Sequence, residues 1–319
     1  MGDIAPPEST LPYPPIHKDK KFVVLSDWDG TITTYDSNDS PRCLVSSLDN
    51  GVIVFANVST TRHQYLLVVG CVLGFEDMTD NLGFGKDKRR QGNLDILSGK
   101  VTFRDEFRTM LDSVVKNGHS FEECKQVLRD NIKLDPGFKE FYAWCKANDI
   151  PVILVSGGMT PTIRAVLSNL VGEKDAGEIE IISNDVDLHD DGTWSIKFRH
   201  PSSGYGHDKS QAILPYRQLE DPPTLFFFGD GVSGKCTSPQ MVSFLCYIYY
   251  HVIDMSAAKH ADLLFVKQKE YGENDLSVYC TNNGIKHVLF STFSDALPVV
   301  QSVVKGEKTV KEILDSTSV

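Results

Sequence analysis

The sequence predicts an α/β fold built on a largely parallel β-sheet, and two observations carry this prediction. The first is a set of short apolar segments, rich in β-forming residues, as is typical of buried parallel strands. These segments are KFVVLSD (21–27), PVILVS (151–156), TLFFF (224–228) and ADLLFV (261–266). The second is an amphipathic segment over 138–148 that leads directly into one of these strands, as helices do in α/β folds.

The remaining elements are predicted in chain order. The Pro-rich residues 1–20 are expected to form a flexible arm. Helices are predicted over 103–115 and 120–129, between the first two strands, and again over 138–148, where four apolar side chains share one face. The segments 178–184 and 194–198 are expected to form an antiparallel excursion that turns at 189–192.

Composition and charge restrict the class of protein. The 319 residues are 41% hydrophobic and 24% charged, which is ordinary for a soluble globular protein with one large domain or a core and a smaller domain. A net charge of −11 repels phosphate backbones, so no nucleic-acid partner is expected. Without an apolar run of about 20 residues, no membrane span is expected either. Seven cysteines without a CxxC spacing indicate reduced thiols and a cytoplasmic protein. The oligomeric state is left open.

An acidic motif, DWDGT, follows the first predicted strand. It places Asp27 and Asp29 at the carboxyl end of that strand, the edge where ligands bind in open α/β sheets. Two carboxylates at one point repel unless a cation lies between them, and Mg²⁺ is the natural candidate, with Asp29 contributing either its side chain or its backbone carbonyl. Gly30 and Thr31 offer N–H groups and a hydroxyl for phosphate oxygens. A solvated acidic turn is the alternative.

Three later positions extend this motif. Ser156 and Gly157 follow the second strand, Lys209 precedes a predicted helix, and Asp230 follows the third strand within a Gly-Asp-Gly turn. Each is compatible with an ordinary turn or helix start. Their order after Asp-x-Asp indicates a site that collects at one edge of the sheet.

This order of motifs resembles the haloacid-dehalogenase-like superfamily of phosphatases. The stretches SGKVTFRDEFRTML, DPGFKEFYAWCKANDIPVILVSGGM and GHDKSQAI resemble its phosphoserine-phosphatase-like branch, and are similar to enol-phosphate phosphatases of methionine salvage and to related fungal proteins. The resemblance covers roughly 20–39, 78–233 and 254–300. It implies a doubly wound, Rossmann-like parallel sheet core (21–39 and 136–319), with a small helical cap (78–135) inserted after the first acidic motif.

The resemblance also implies a mechanism. Asp27 would attack phosphorus and form an aspartyl-phosphate, Asp29 would act as general acid and then general base, and Lys209 would neutralise the transferring group. The phosphoryl oxygens would be held by four further residues, which are Gly30, Thr31, Ser156 and Gly157. The cofactor would be Mg²⁺, held by Asp27, Asp29 and Asp230.

The substrate is expected to be a small phosphorylated metabolite, and phosphoserine, a sugar or polyol phosphate and a methylthio-ketose phosphate all remain open. The cap would select it. A basic cluster, Lys86, Lys88, Arg89 and Arg90, is one candidate contact, Arg104 and Arg108 are another, and solvated helix surface is the alternative for both. A phosphotransferase or mutase of the same superfamily, or a catalytically impaired protein that binds phosphate ligands, are the alternative functions.

Two segments depart from the resemblance. The superfamily pattern GDxxxD is interrupted here, since Gly234 stands where the second acid is expected. Joining Ser233 to Asp254 restores the pattern, and codons for the two junctions can contain splice signals. We therefore interpret 234–253 as a translated intron, with a genuine loop insertion as the alternative. Residues 40–77 are a second suspected insertion.

Overall fold

The computed structural model describes residues 6–34, 73–231, 253–268 and 275–317. Within these ranges, seven strands form the main sheet in the order β6-β5-β4-β1-β7-β8-β9. Their bounds are β1 Phe22–Ser26, β4 Val152–Met159, β5 Glu180–Leu188, β6 Trp194–Lys197, β7 Thr224–Gly229, β8 Leu263–Lys267 and β9 Val288–Phe290. All neighbours are parallel except β5 and β6, which confirms the predicted α/β class.

Helices cover both faces of the sheet, so the fold is doubly wound. On one face the apolar side chains of the sheet pack with α5 (Phe138–Ala147) and α11 (Phe293–Val304), and on the other with α8 (Ser210–Arg217), α9 (Ile253–Ala258) and α10 (Asp275–Asn282). The other core helices are α6 (Thr160–Val171), α7 (Glu173–Glu178) and α12 (Val310–Ser316). Alternate residues of β7 face opposite layers, with Phe226 and Phe228 in one and Phe227 in the other. This two-sided burial explains why the strands read as unbroken apolar runs.

A small helical unit leaves and rejoins the core through a two-stranded ribbon. Strand β2 (Thr33–Thr34) pairs antiparallel with β3 (Lys133–Leu134), and the Asp135 N–H donates to the Ile32 carbonyl at 2.8 Å. Between them lie α1 (Leu73–Leu82), α2 (Lys86–Leu97), α3 (Phe103–Lys116) and α4 (Phe121–Asn131). Helix α1 begins before residue 78, inside the suspected insertion 40–77. The ribbon thus holds the chain segments that enter and leave the helical unit next to each other.

This helical unit packs on the core. The indole N–H of Trp194 on β6 donates to the His119 carbonyl at 3.1 Å, and its ring lies 5.3 Å from that of Phe121. The Arg104 N–H donates to the Gly204 carbonyl at 2.8 Å. Residues of α1, α3 and α4 belong to the same apolar cluster as the sheet face they cover. The unit is thus joined to the core by buried apolar surface as well as by the ribbon.

Two local expectations are corrected. The predicted antiparallel pairing through a turn at 189–192 is confirmed for the second half of β5, which pairs with β6, but the first half of β5 pairs parallel with β4 and so belongs to the main sheet. Strand β4 does not end at Ser156 but continues to Met159, with a shift of register after Val155. The irregularity lets an apparent Ser-Gly-Gly turn run on as strand.

The expected flexible arm is also corrected for residues 9–17. Thr10 and Arg199 are joined by an N–H···O=C bond of 2.8 Å, and His17 lies 2.9 Å from the Glu180 carboxylate. The segment is attached because the guanidinium of Arg199, which is almost fully buried, donates hydrogen bonds to the carbonyls of Leu11 and Pro12.

The suspected insertion 234–253 lies outside the described residues except for Ile253, and so does most of 40–77. The apolar cluster FLCYIYY within the first of these lies there too. Of the helices described, none combines the length and the apolar character that crossing a membrane requires.

Candidate active site

The end of the central strand carries a buried ion pair. Asp27 directly follows β1, and its N–H donates to the Phe228 carbonyl of β7 at 2.8 Å. Lys209, the residue before α8, donates its ammonium to Asp27 Oδ1. The two side chains are only 6% and 5% exposed. An ion pair so removed from water interacts strongly, and it aligns the Asp27 carboxylate.

Asp29 and Ser156, which lies in β4 where its register shifts, form a second contact. The Ser156 hydroxyl donates to Asp29 Oδ2 at 3.3 Å, and it accepts from the Gly158 N–H at 2.9 Å. Ser156 is fully buried, whereas Asp29 is half-buried. Gly157, on β4, accepts at its carbonyl from the Asn184 amide at 2.7 Å.

The turn after Asp29 brings Asp230 close to the backbone. Gly30 has φ of +76°, a conformation that favours glycine, and its N–H donates to Thr33 Oγ1 at 2.8 Å. The Thr31 hydroxyl donates to Asp230 Oδ1 at 3.4 Å. A Cβ at Gly30 would lie 2.7 Å from Asp230 Cγ and closer still to Oδ2. Glycine at this position thus leaves the space that the Asp230 carboxylate occupies.

The donor atoms at this edge fit Mg²⁺. In the stretches that the structure describes, no three side chains of His, Cys, Asp or Glu form a metal-binding cluster. Two carboxylates, Asp27 and Asp230, directly follow the neighbouring strands β1 and β7. A third oxygen donor, the main-chain carbonyl of Asp29, is two residues after Asp27. Mg²⁺ is typically held by one or two carboxylates together with substrate phosphate, so this set suits it without a third carboxylate.

The predicted site residues therefore meet at one edge of the sheet. The structure pairs Lys209 with Asp27, Ser156 with Asp29, and Thr31 with Asp230. Asp254, the acid expected to complete the last motif, lies in α9, and its side chain is outside the described residues.

His207 also belongs to this site, although none of the sequence motifs above includes it. Its Nδ1 lies 2.6 Å from the Ser156 carbonyl, and the side chain is 1% exposed. Burial holds the pKa of His207 well below its usual value, so the ring is neutral. A neutral ring nitrogen facing a carbonyl must carry the proton, so Nδ1–H is the donor. Its position two residues before Lys209 was the signal available in the sequence.

Some basic residues of the helical unit are exposed, and another is buried in an ion pair. Lys86, Lys88 and Arg90 are exposed on α2, as expected for a solvated helix surface. Arg89 is buried and makes a two-pronged ion pair with Asp80 at 2.7 and 2.8 Å.

Two arginines of α3 serve the contact with the core. Arg104 donates to the Pro201 carbonyl and to Asp105, and Arg108 lies 5.1 Å from the centre of the Phe198 ring. Both therefore help to join the cap to the loop that follows β6.

Comparison with known proteins supports the family inferred from the motifs. Residues 24–233 match the family described as haloacid dehalogenase-like hydrolase. Pdp3-interacting factor 1 of Schizosaccharomyces pombe is 38% identical over 278 residues, covering 86% of this chain and 93% of that protein. Polyol phosphate phosphatase PYP1 of Saccharomyces cerevisiae is 35% identical over 305 residues, covering 93% of this chain and 99% of that protein.

More distant similarity extends to bacterial proteins. The 2-hydroxy-3-keto-5-methylthiopentenyl-1-phosphate phosphatase of Bacillus pumilus is 25% identical, covering 63% of this chain and 74% of that protein. A solved hydrolase of this family from Salmonella enterica serovar Typhi superposes with a TM-score of 0.52 at 13% identity, covering 89% of this chain and 70% of that one, and so shows the same fold. These findings confirm the predicted enzyme class, phosphoric monoester hydrolase. The chain belongs to the haloacid dehalogenase-like hydrolases.

Proposed function

We propose that this enzyme is an Mg²⁺-dependent phosphatase that hydrolyses a small polyol phosphate through an aspartyl-phosphate on Asp27. The observation that carries the proposal is the buried Asp27–Lys209 ion pair, together with the Ser156–Asp29 contact at the same edge of the sheet. Family membership and the phosphatases among the relatives support it.

In the first step, the Asp27 carboxylate attacks phosphorus in line with the ester oxygen. The P–O bond to the alcohol breaks as the bond to Asp27 forms, and the leaving oxygen takes a proton from Asp29. Lys209 offsets negative charge on the nucleophile and the transferring group. Donors already in place stabilise this charge without reorganising during the reaction.

In the second step, water attacks the phosphorus of the aspartyl-phosphate. Asp29, now ionised, accepts a proton from that water, and the Asp27 carboxylate is released with inorganic phosphate. Asp29 stands two residues after the nucleophile, which suits a group that serves both steps.

Ser156, Gly157, Gly30 and Thr31 are proposed to bind phosphoryl oxygens. The Ser156 hydroxyl would exchange its Asp29 acceptor for phosphate, and the Thr31 hydroxyl would exchange Asp230. Mg²⁺, held by Asp27, Asp230 and the Asp29 carbonyl, would supply positive charge that draws nucleophile and phosphate together.

A polyol phosphate is proposed as the substrate because of the budding-yeast relative. That protein is named for polyol phosphates, and it aligns with nearly all of this chain. The bacterial relatives named for a methylthiopentenyl phosphate align with a smaller part at lower identity.

The test is Mg²⁺-dependent phosphate release from esters of polyols, sugars, serine and a methylthio-ketose. Two proteins are compared, the full chain and a chain that joins Ser233 directly to Asp254, with Asp27→Asn of each as the blank. We expect the highest kcat/KM with a polyol phosphate, and higher activity in the joined chain. A higher kcat/KM with another ester would reject the polyol assignment. If both proteins release no more phosphate than their blanks, the phosphatase proposal is wrong for this chain.

A further inference from the structure

The loop that precedes Lys209 is closed by one histidine. The His200 N–H donates to the Gly206 carbonyl at 2.8 Å, and the His200 carbonyl accepts from Ser203 at 2.9 Å. At the far end of the loop, the Asp208 N–H donates to His200 Nδ1 at 2.9 Å. Asp208 is the neighbour of Lys209, so the imidazole of His200 fixes the backbone from which Lys209 reaches Asp27.

The hydrogen bonds of His200 define its tautomer. A backbone N–H only donates, so the Nδ1 that receives the Asp208 N–H carries no proton. Burial lowers the pKa of His200 to about 4, so its ring is neutral near pH 7 and its proton is on Nε2. Nε2 lies 2.8 Å from the Tyr13 hydroxyl oxygen and therefore donates to it.

Tyr13 belongs to the N-terminal segment 9–17, which is attached at this point of the core. The Arg199 guanidinium donates to the carbonyls of Leu11 and Pro12, each at 3.1 Å, and lies 4.8 Å from the centre of the Tyr13 ring. Tyr13 itself is 40% exposed, whereas Arg199 and His200 are buried. The segment thus presents one hydroxyl oxygen to a buried imidazole.

A second imidazole joins the same loop to β4, the strand that carries Ser156. His207 donates to the Ser156 carbonyl, and its ring lies 5.4 Å from that of His200. The two rings therefore place Lys209 relative to Ser156 from opposite ends of the loop.

We propose that Tyr13 and His200 are positioning residues for Lys209, and that residues 9–13, the part of the N-terminal segment that Arg199 contacts, are a working part of the active site. The contacts run from Tyr13 to His200, from His200 to Asp208, and from the adjoining Lys209 to Asp27. The catalytic consequence rests on the proposed function, in which Lys209 stabilises the transferring phosphoryl group. The structural consequence, an ordered Lys209 loop, does not.

The experiment compares Tyr13→Phe, His200→Asn and His200→Leu with a matched control, His17→Gln. Tyr13→Phe removes only the oxygen that receives the His200 proton. His200→Asn keeps an acceptor for the Asp208 N–H but does not reach Tyr13, whereas His200→Leu removes both contacts. His17 lies in the same segment but binds Glu180, away from the loop.

Two readouts are taken. With the ester that the wild type cleaves best, His200→Leu should lower kcat by about 10- to 100-fold, since ~1 Å misplacement of a reacting group has effects of this size. KM should stay within about twofold, because Lys209 acts mainly on charge that develops in the transition state. Tyr13→Phe and His200→Asn should lower kcat less, by about three- to tenfold, and His17→Gln should leave it unchanged.

Amide hydrogen exchange of the full chain is the second readout and needs no turnover. The peptide covering 204–209 should exchange faster in His200→Leu and, to a smaller extent, in Tyr13→Phe, but not in His17→Gln. Unchanged exchange and unchanged kcat in Tyr13→Phe would overturn the proposal, even if His200→Leu fails to fold. Equal losses in His17→Gln would also overturn it. If the wild type cleaves no ester, the proposed function falls while the exchange data still decide the coupling.

Discussion

Replacing Gly30 by alanine tests whether the site depends on the close approach of Asp230 to the backbone. The added Cβ would lie 2.7 Å from Asp230 Cγ, whereas ordinary contacts begin near 3.4 Å. Because Oδ2 is closer still, the Asp230 carboxylate must move away from the turn. A displacement of ~1 Å in a reacting constellation reduces turnover by about 10²-fold, which is the loss in kcat/KM that we expect. The concentration of Mg²⁺ needed for half-maximal activity should rise as well.

The same substitution also strains the backbone, and a matched control separates the two effects. Gly30 has φ of +76°, where an alanine costs roughly 1–2 kcal/mol. Gly306, at the end of α11, has φ of +71° and no atom within 4 Å of an added Cβ. Gly306→Ala should therefore lower the free energy of unfolding by a similar ~1–2 kcal/mol and leave kcat/KM unchanged.

The assay is phosphate release over a range of Mg²⁺ concentrations, paired with urea unfolding of both variants. If Gly30→Ala keeps wild-type kcat/KM and Mg²⁺ dependence, the Asp230 carboxylate is not held where the geometry places it. If Gly306→Ala loses activity to the same extent, the loss reflects stability and not the site.

Three further predictions follow from the described contacts. Lys209→Met should lower kcat by about 10²- to 10³-fold. It should also lower the free energy of unfolding in metal-free buffer by roughly 3 kcal/mol, because it removes the cation that pairs with the buried Asp27 carboxylate. Adding Asp27→Asn should restore the stability but not the activity, and a double variant no more stable than Lys209→Met would contradict this. Burial raises the pKa of three thiols to about 11 or 12, and these are Cys124, Cys145 and Cys280. Iodoacetamide at pH 8 should therefore modify them only after unfolding, which peptide mass spectrometry measures. Joining Ser233 to Asp254 should raise the soluble yield of the chain, since it removes the uncharged, β-prone cluster FLCYIYY. Equal yields in parallel expression would argue against this.

Much of the sheet is predictable because its central strands are buried on both faces. The segments VVLS, VILVS and LFFF were located within a few residues, since double burial demands consecutive apolar side chains. Elements with one solvent-facing side were predicted less well. Strand β9 is half-exposed, and its run of three apolar residues, VLF, is too short to predict a buried strand. The second half of β5 is polar, which obscured its place in the main sheet.

The sequence by itself determined that three of the candidate site residues gather at one edge of the sheet, but it did not indicate that His207 joins them. Asp27, Ser156 and Asp230 each stand at or near the end of a buried parallel strand, and such ends meet at one edge whatever the helices do. The order of chemical types at that edge, carboxylates followed by hydroxyl and ammonium groups, carries the resemblance to a family of phosphatases before any distance is known.

The tertiary structure alone decided which partner each charged group takes. Lys209 contacts Asp27 across 182 positions of sequence, whereas Arg89, from the predicted basic cluster, forms an ion pair with Asp80. Arg199 draws the N-terminal segment onto the core, which the composition of that segment did not indicate. The physical reason is that a buried charge must be matched by whatever group the packing brings within reach, and packing brings together residues from distant parts of the chain.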